Sequence, residues 1–92
     1  MTNLAKSLNN LAIHLDGNGQ PHKALQTAQE ATNLYRTLAK HNPAAYTPAL
    51  TRSLNTYANI LERRGKTKEA ARIRKERDQV LKRMKETEEG HV

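Results

Sequence analysis

The sequence predicts an all-α protein built from two antiparallel helix-turn-helix units, four helices in all. Three observations carry that prediction. The first is an internal repeat. The stretch Leu4-Ala5-Lys6-Ser7-Leu8-Asn9-Asn10-Leu11-Ala12 returns 46 positions later as Leu50-Thr51-Arg52-Ser53-Leu54-Asn55-Thr56-Tyr57-Ala58. The same offset pairs Leu15 with Leu61, Gly19 with Gly65, Ala24 with Ala70 and Glu30 with Glu76, which makes nine identities over the 28 positions from 4 to 31. A fixed period of this length marks stacked supersecondary units. The second observation is apolar spacing at i, i+3, i+4 and i+7 with no stretch of period two, which excludes strands. The third is the placement of Gly and Pro between the periodic segments, where turns need them.

The first helix is predicted over about Thr2 to Asp16, with Leu4, Leu8, Leu11, Ala12 and Leu15 as its apolar stripe. Gly17-Asn18-Gly19-Gln20-Pro21 then supplies Gly for a positive-φ cap and Pro for the next first turn. The second helix runs from about Pro21 to Lys40 on a stripe of Ala24, Leu25, Ala28, Ala31, Leu34, Tyr35 and Leu38, and His41-Asn42-Pro43 ends it. The third is expected to start near Tyr46 to Pro48 and to close at Arg64 before Gly65, with Leu50, Leu54, Tyr57, Ala58 and Leu61 inward. The fourth follows Thr67 as N-cap and continues to about Glu89, with Ala70, Ala71, Ile73, Val80, Leu81 and Met84 as its apolar face. The charges of residues 62–92 are spaced for i, i+4 pairs: Glu62 with Lys66, Arg72 with Glu76, Arg74 with Asp78, Asp78 with Lys82, and Lys82 with Glu86. Residues 1–92 are thus one domain, with repeat one at about 2–42, repeat two at about 46–89, and a frayed tail at 90–92.

Composition bounds the rest. The 92-residue chain has 16 Lys and Arg against 9 Asp and Glu, a net charge of +7, and no Cys or Phe. Only 16 residues are Leu, Ile or Val, a level at which disorder competes with folding. Twelve alanines at helical spacing argue for folding, because Ala favours the helix and lets helices approach closely. Without Cys there is no disulfide, thiolate metal site or Cys nucleophile. No apolar run approaches the ~18 residues of a membrane span. Met1-Thr2-Asn3-Leu4 lacks a basic stretch leading into an apolar one, so no signal peptide and a cytoplasmic location are expected.

Two helical hairpins with small residues at matched positions resemble tetratricopeptide repeats. The first unit carries Leu8, Leu11-Ala12, Leu15, Gly19, Ala24, Ala28 and Ala31, and the second carries Leu54, Tyr57-Ala58, Leu61, Gly65 and Ala70 before departing at Arg74 and Arg77. The 46-residue period and the Ser-Leu-Asn-Asn-Leu-Ala signature are similar to the longer, kinesin-light-chain-like variety. The resemblance covers about residues 4–86 and implies a short right-handed solenoid. It also implies a protein-interaction module, part of a larger scaffold or signalling protein, that binds a peptide on the concave face formed by the first helix of each unit. On that pattern the partner-binding residues are Lys6, Asn9, Ile13 and Asp16 in unit one and Arg52, Asn55, Asn59, Glu62 and Arg63 in unit two. Asn9 and Asn55 are repeat-equivalent, and amides suit an extended peptide backbone. Lys6 and Arg52 suit a carboxylate. Arginines at positions 74 and 77 cannot receive a further unit without burying charge. The fourth helix is therefore either a polar cap or the trimmed end of a longer array.

Other constellations are weaker. Arg63, Arg64, Lys66, Lys68, Arg72, Arg74 and Lys75 form the densest basic run, which suits nucleic acid or an acidic partner. No aromatic is interleaved for base stacking. His14, His22, His41 and His91 lack the i, i+4 spacing of a zinc pair, so no metal is expected. Ser7 and Ser53 have no neighbouring base, and Gly17-Asn18-Gly19 does not follow a strand as a phosphate loop would. No enzyme activity and no cofactor are implied. Self-association is expected, because two units fall short of the ~3 that stacked repeats usually need, and the Pro43–Pro48 corner is the expected hinge if hairpins exchange.

Overall fold

The computed structural model describes the backbone of residues 2–90 and the side chains of residues 4–86. Four helices follow one another: α1 (Thr2–Gly17), α2 (Pro21–His41), α3 (Pro43–Arg63) and α4 (Thr67–Gly90). Each packs on the next, and α1 also touches α3. The Cα trace occupies 47 × 29 × 16 Å. With helices packing 8–10 Å apart, a thickness of 16 Å leaves room for only two layers, so every helix keeps one open side.

The two within-unit turns are the same structure. Gly19 (φ +73°) and Gly65 (φ +79°) take the left-handed conformation. The Gly19 N–H donates to the Asp16 carbonyl and the Gln20 N–H to Leu15, while Gly65 donates to Glu62 and Lys66 to Leu61. This is the paired bonding of a Schellman cap, repeated at the 46-residue offset. Pro21 opens α2 from the first turn, where its missing N–H costs nothing.

The join between units differs from the expected one. Asn42 alone separates α2 from α3, and Pro43 is the first helical residue of α3, so Pro43-Ala44-Ala45 is its first turn rather than a linker. The Asn42 side chain makes no capping bond. Pro48 lies inside α3 and not at its start. The expected exchange hinge at 43–48 is therefore helix. Smaller shifts occur elsewhere: α1 closes at Gly17, α2 at His41 and α3 at Arg63, and Thr67 is the first residue of α4 with Lys66 in the capping place. Of the tail expected to fray at 90–92, Gly90 is the last residue of α4, and residues 91–92, with His91, lie outside the described residues.

The core has two clusters. Ala5, Tyr35, Ala39, Leu50, Leu54 and Val80 form one, with Tyr46 and Ile73 packed against it. Ala12, Ala24, Ala28 and Ile60 form the other, with Leu15, Leu25 and Tyr57 around it. Burial raises the Tyr35 phenol above its ordinary pKa. The α2–α3 contact holds one buried polar pair. The Thr32 hydroxyl donates to the Ala28 carbonyl at 2.8 Å, so Ser53 is left to donate to Thr32 at 3.0 Å.

Three parts of the expected apolar faces are not inside. Leu11, matched to the inward Tyr57, is 47% exposed, and Leu4 is 54% exposed. Their side of α1 faces away from α2, which is met by Ala5 and Ala12. In α4, Ala71 and Leu81 are exposed because the inward line runs along buried Ala70 and Val80 and half-buried Ile73 and Met84. Three acids of the expected charge ladder find other partners, two of them across helices and one within α4. Glu76 is held by Arg36 of α2, Glu62 by Arg74, and Asp78 by its neighbour Arg77.

Candidate functional site

The residues assigned to partner binding lie on α1 and α3, the first helices of the two units. Lys6, Ile13, Arg52, Asn55, Glu62 and Arg63 are exposed, and Asn9 and Asn59 are half-buried. Asp16 and Arg63 form an ion pair that ties the end of α1 to the end of α3. The carboxylate of that pair is well covered and the guanidinium is not, so Arg63 lies over Asp16 from the solvent side.

Within unit two the site is already occupied by the chain itself. Arg74 donates to both oxygens of Glu62 at 2.9 and 3.1 Å and to the Asn59 Oδ1 at 3.2 Å. Arg77 donates to the Asn55 Oδ1 at 2.7 Å and to Asp78. Hydrogen bonding from Arg74 lowers the Glu62 carboxyl below its ordinary pKa and raises that of the guanidinium. Three of the expected peptide-binding residues thus have arginine partners from α4.

The repeat explains why these arginines are free to do so. The offset of 46 sets Arg74 on Ala28, Arg77 on Ala31 and Asp78 on Thr32. In unit one those positions are buried, on the helix that packs against α3. In unit two no further helix among the described residues packs on them, and long charged side chains reach α3. Asn9 shows the complement. Its equivalent Asn55 accepts from Arg77, but Ala31 stands in the arginine's place, and the Asn9 Oδ1 is buried with no hydrogen-bond partner.

The basic run is likewise partly engaged. Arg63 pairs with Asp16 and Arg74 with Glu62, and an Arg64 Nη lies 3.2–3.3 Å from both ring nitrogens of His22. Lys66, Lys68, Arg72 and Lys75 are exposed. Among the described residues no group of three or more His, Asp or Glu is placed to hold a metal ion, and no helix is long and apolar enough to cross a membrane.

Sequence reasoning missed the bond between α2 and α4. The Arg36 Nε donates to Glu76 at 2.9 Å and an Nη at 2.6 Å. Arg36 has no carboxylate three or four residues away on its own helix, which was the available sign that its partner lies elsewhere. Beyond this pair α2, α3 and α4 enclose a cleft of about 970 Å³, which no spacing argument identified.

No protein-family model, curated protein or solved structure matches the chain.

Proposed function

We propose that the chain is a non-enzymatic, cytoplasmic protein-interaction module of the tetratricopeptide type that takes an extended peptide along α1 and α3. The observation that carries this is the duplicated turn and helix pattern: the same Schellman cap closes both first helices, and both carry polar residues at matched positions, of which Lys6, Arg52 and Asn55 are exposed and Asn9 is half-buried. Lys6 with Arg52 and Asn9 with Asn55 are the repeat-equivalent pairs. Arg77 occupies the Asn55 carbonyl, so Asn55 offers a peptide its amide N–H groups. Lys6 and Arg52 are exposed on the same surface and favour a peptide with a carboxylate.

The test is a selection of binders from a displayed random-peptide library, followed by Asn9→Ala combined with Asn55→Ala. The reading expects weaker binding with unchanged helicity. Normal binding by this variant, with loss on Arg72→Glu plus Lys75→Glu, would move the site to the basic run. That run is the weaker candidate for nucleic acid, because Arg63, Arg64 and Arg74 already have partners in the chain.

One observation favours a second reading, self-assembly through α1. Leu4, Leu8, Leu11 and Leu15 are exposed or half-buried, whereas their counterparts Leu50, Leu54 and Leu61 are buried in α3. A second copy, or a further unit of the same kind, would cover them.

A further inference from the structure

We propose that the solvent side of α4 docks duplex DNA through its phosphate backbone. This surface is separate from the α1 and α3 residues above. It follows from how the acids of α4 are used. Glu76 is drawn to Arg36 of α2, and Asp78 is held by Arg77. Glu69 acts on the Tyr57 phenol of α3, whose pKa is raised by burial first and by this carboxylate second. Arg72 thereby loses the partner that spacing offers in Glu76, and Lys82 loses the one in Asp78.

What is left is a line of cations. Lys68, Arg72, Lys75 and Lys82 recur at the spacing of one helix side, with Gln79 between the last two, and all are exposed. Among the described residues the ion pairs belong to other cations, Arg36, Arg63, Arg74 and Arg77. Arg83 is engaged within the chain and takes no part. From Lys68 to Lys82 the line runs about 21 Å at 1.5 Å per residue, or about six phosphate steps of one strand. Glu86 bounds it at the far end.

The occupant follows from what the line lacks. It carries no aromatic for base stacking, so a single strand gains little. It carries no large apolar side chain, since exposed Leu81 lies about 100° round the helix from Lys82. A membrane surface or a protein hot spot would need one. A duplex backbone needs charge alone. The B-form major groove, about 12 Å wide, admits a helix whose cations reach both walls, and the A-form groove is too narrow for this.

The probe is a fluorescent mixed-sequence DNA duplex of about two helical turns, titrated with the full chain and followed by anisotropy over a series of salt concentrations. Saturable micromolar binding is expected at low salt, falling with a log–log slope of about −3. Arg72→Gln with Lys75→Gln should reduce that slope by about two and weaken binding by about tenfold or more at about 100 mM salt, with the helical circular dichroism unchanged. Arg72→Lys with Lys75→Arg should bind as the native chain does. Lys23→Gln with Lys40→Gln, the same change of charge at exposed sites of α2, should keep the native slope. Four outcomes would overturn the proposal: an equal loss in the α2 variant; an unchanged slope in Arg72→Gln with Lys75→Gln; equally tight binding of a single strand, an RNA duplex or anionic phospholipid vesicles; or no binding at low salt up to about 100 μM chain. No residue of the α1 and α3 surface is changed, so that reading is tested separately.

Discussion

Ala12 and Ala58 have no exposed surface at all. Each is the small half of a large–small pair in its first helix, and each sits where a longer side chain would have to displace a neighbouring helix. Ala58→Leu should therefore cost about 1–3 kcal/mol by overpacking, read as a lower melting temperature. An unchanged value would mean that the site can expand. The Glu62–Arg74 pair makes a second residue-scale prediction. Its carboxyl is held below the ordinary value of 4.5, mainly by hydrogen bonding from Arg74. Linkage then requires that the pair stabilise the fold fully above pH 4.5 and lose its effect as pH falls through the depressed value. The melting temperatures of the native chain and of Glu62→Gln should converge on acidification. A gap that widened would place the stabilising charge elsewhere.

At the scale of elements, the two Schellman turns are the clearest features shared by the units. A methyl group added at Gly19 or Gly65 would meet no neighbour within 4 Å. The cost of replacing either by Ala is therefore backbone strain alone, about 1–2 kcal/mol. The two variants should give similar losses in urea denaturation, and a large difference would show that the turns are not equivalent. These turns were legible because they are local: Gly at the cap, with Pro21 or Thr67 opening the next helix two residues on, acts within a few residues. The start of α3 was less so, because Pro43 suits both the end of one helix and the first turn of the next. Leu11 and Leu81 were placed inside because periodicity gives the apolar side of a helix but not how much of it a neighbour covers. The partner-binding residues could be named from the repeat, yet their engagement by Arg74 and Arg77 could not. That engagement is a contact between helices, which spacing within a helix does not report. The cleft was illegible for a similar reason, since it arises from the divergence of α2 and α4, which are not adjacent in sequence.

For the whole molecule, the two ends of the stack are unlike. One end is the leucine-bearing side of α1, where Leu4 and Leu11 are about half exposed. The other is the arginine-covered surface of α3 and α4. Head-to-tail growth would set leucine against Arg74 and Arg77 and is disfavoured by the cost of burying those charges. Pairing of two α1 faces is the arrangement that covers the leucines, and it closes at two copies. Light scattering over micromolar to millimolar concentration should show a rising mass, and Leu4→Lys with Leu11→Lys should hold the mass near the 10.4 kDa of one chain. A constant single-chain mass for the native sequence would remove the self-assembly reading and leave the stripe as tolerated surface.

The consecutive packing of the helices also has a kinetic meaning. Each helix finds its main partner immediately before or after it in the chain, and across an intervening helix α1 meets α3 and α2 reaches α4 through the Arg36–Glu76 pair. Every large gain in buried surface therefore follows the closing of a turn only a few residues long, a process of about 10–100 ns. Low contact order of this kind places folding in the range of about microseconds to milliseconds. The chain can begin at either hairpin and zip toward the other, with no slow search for a distant partner.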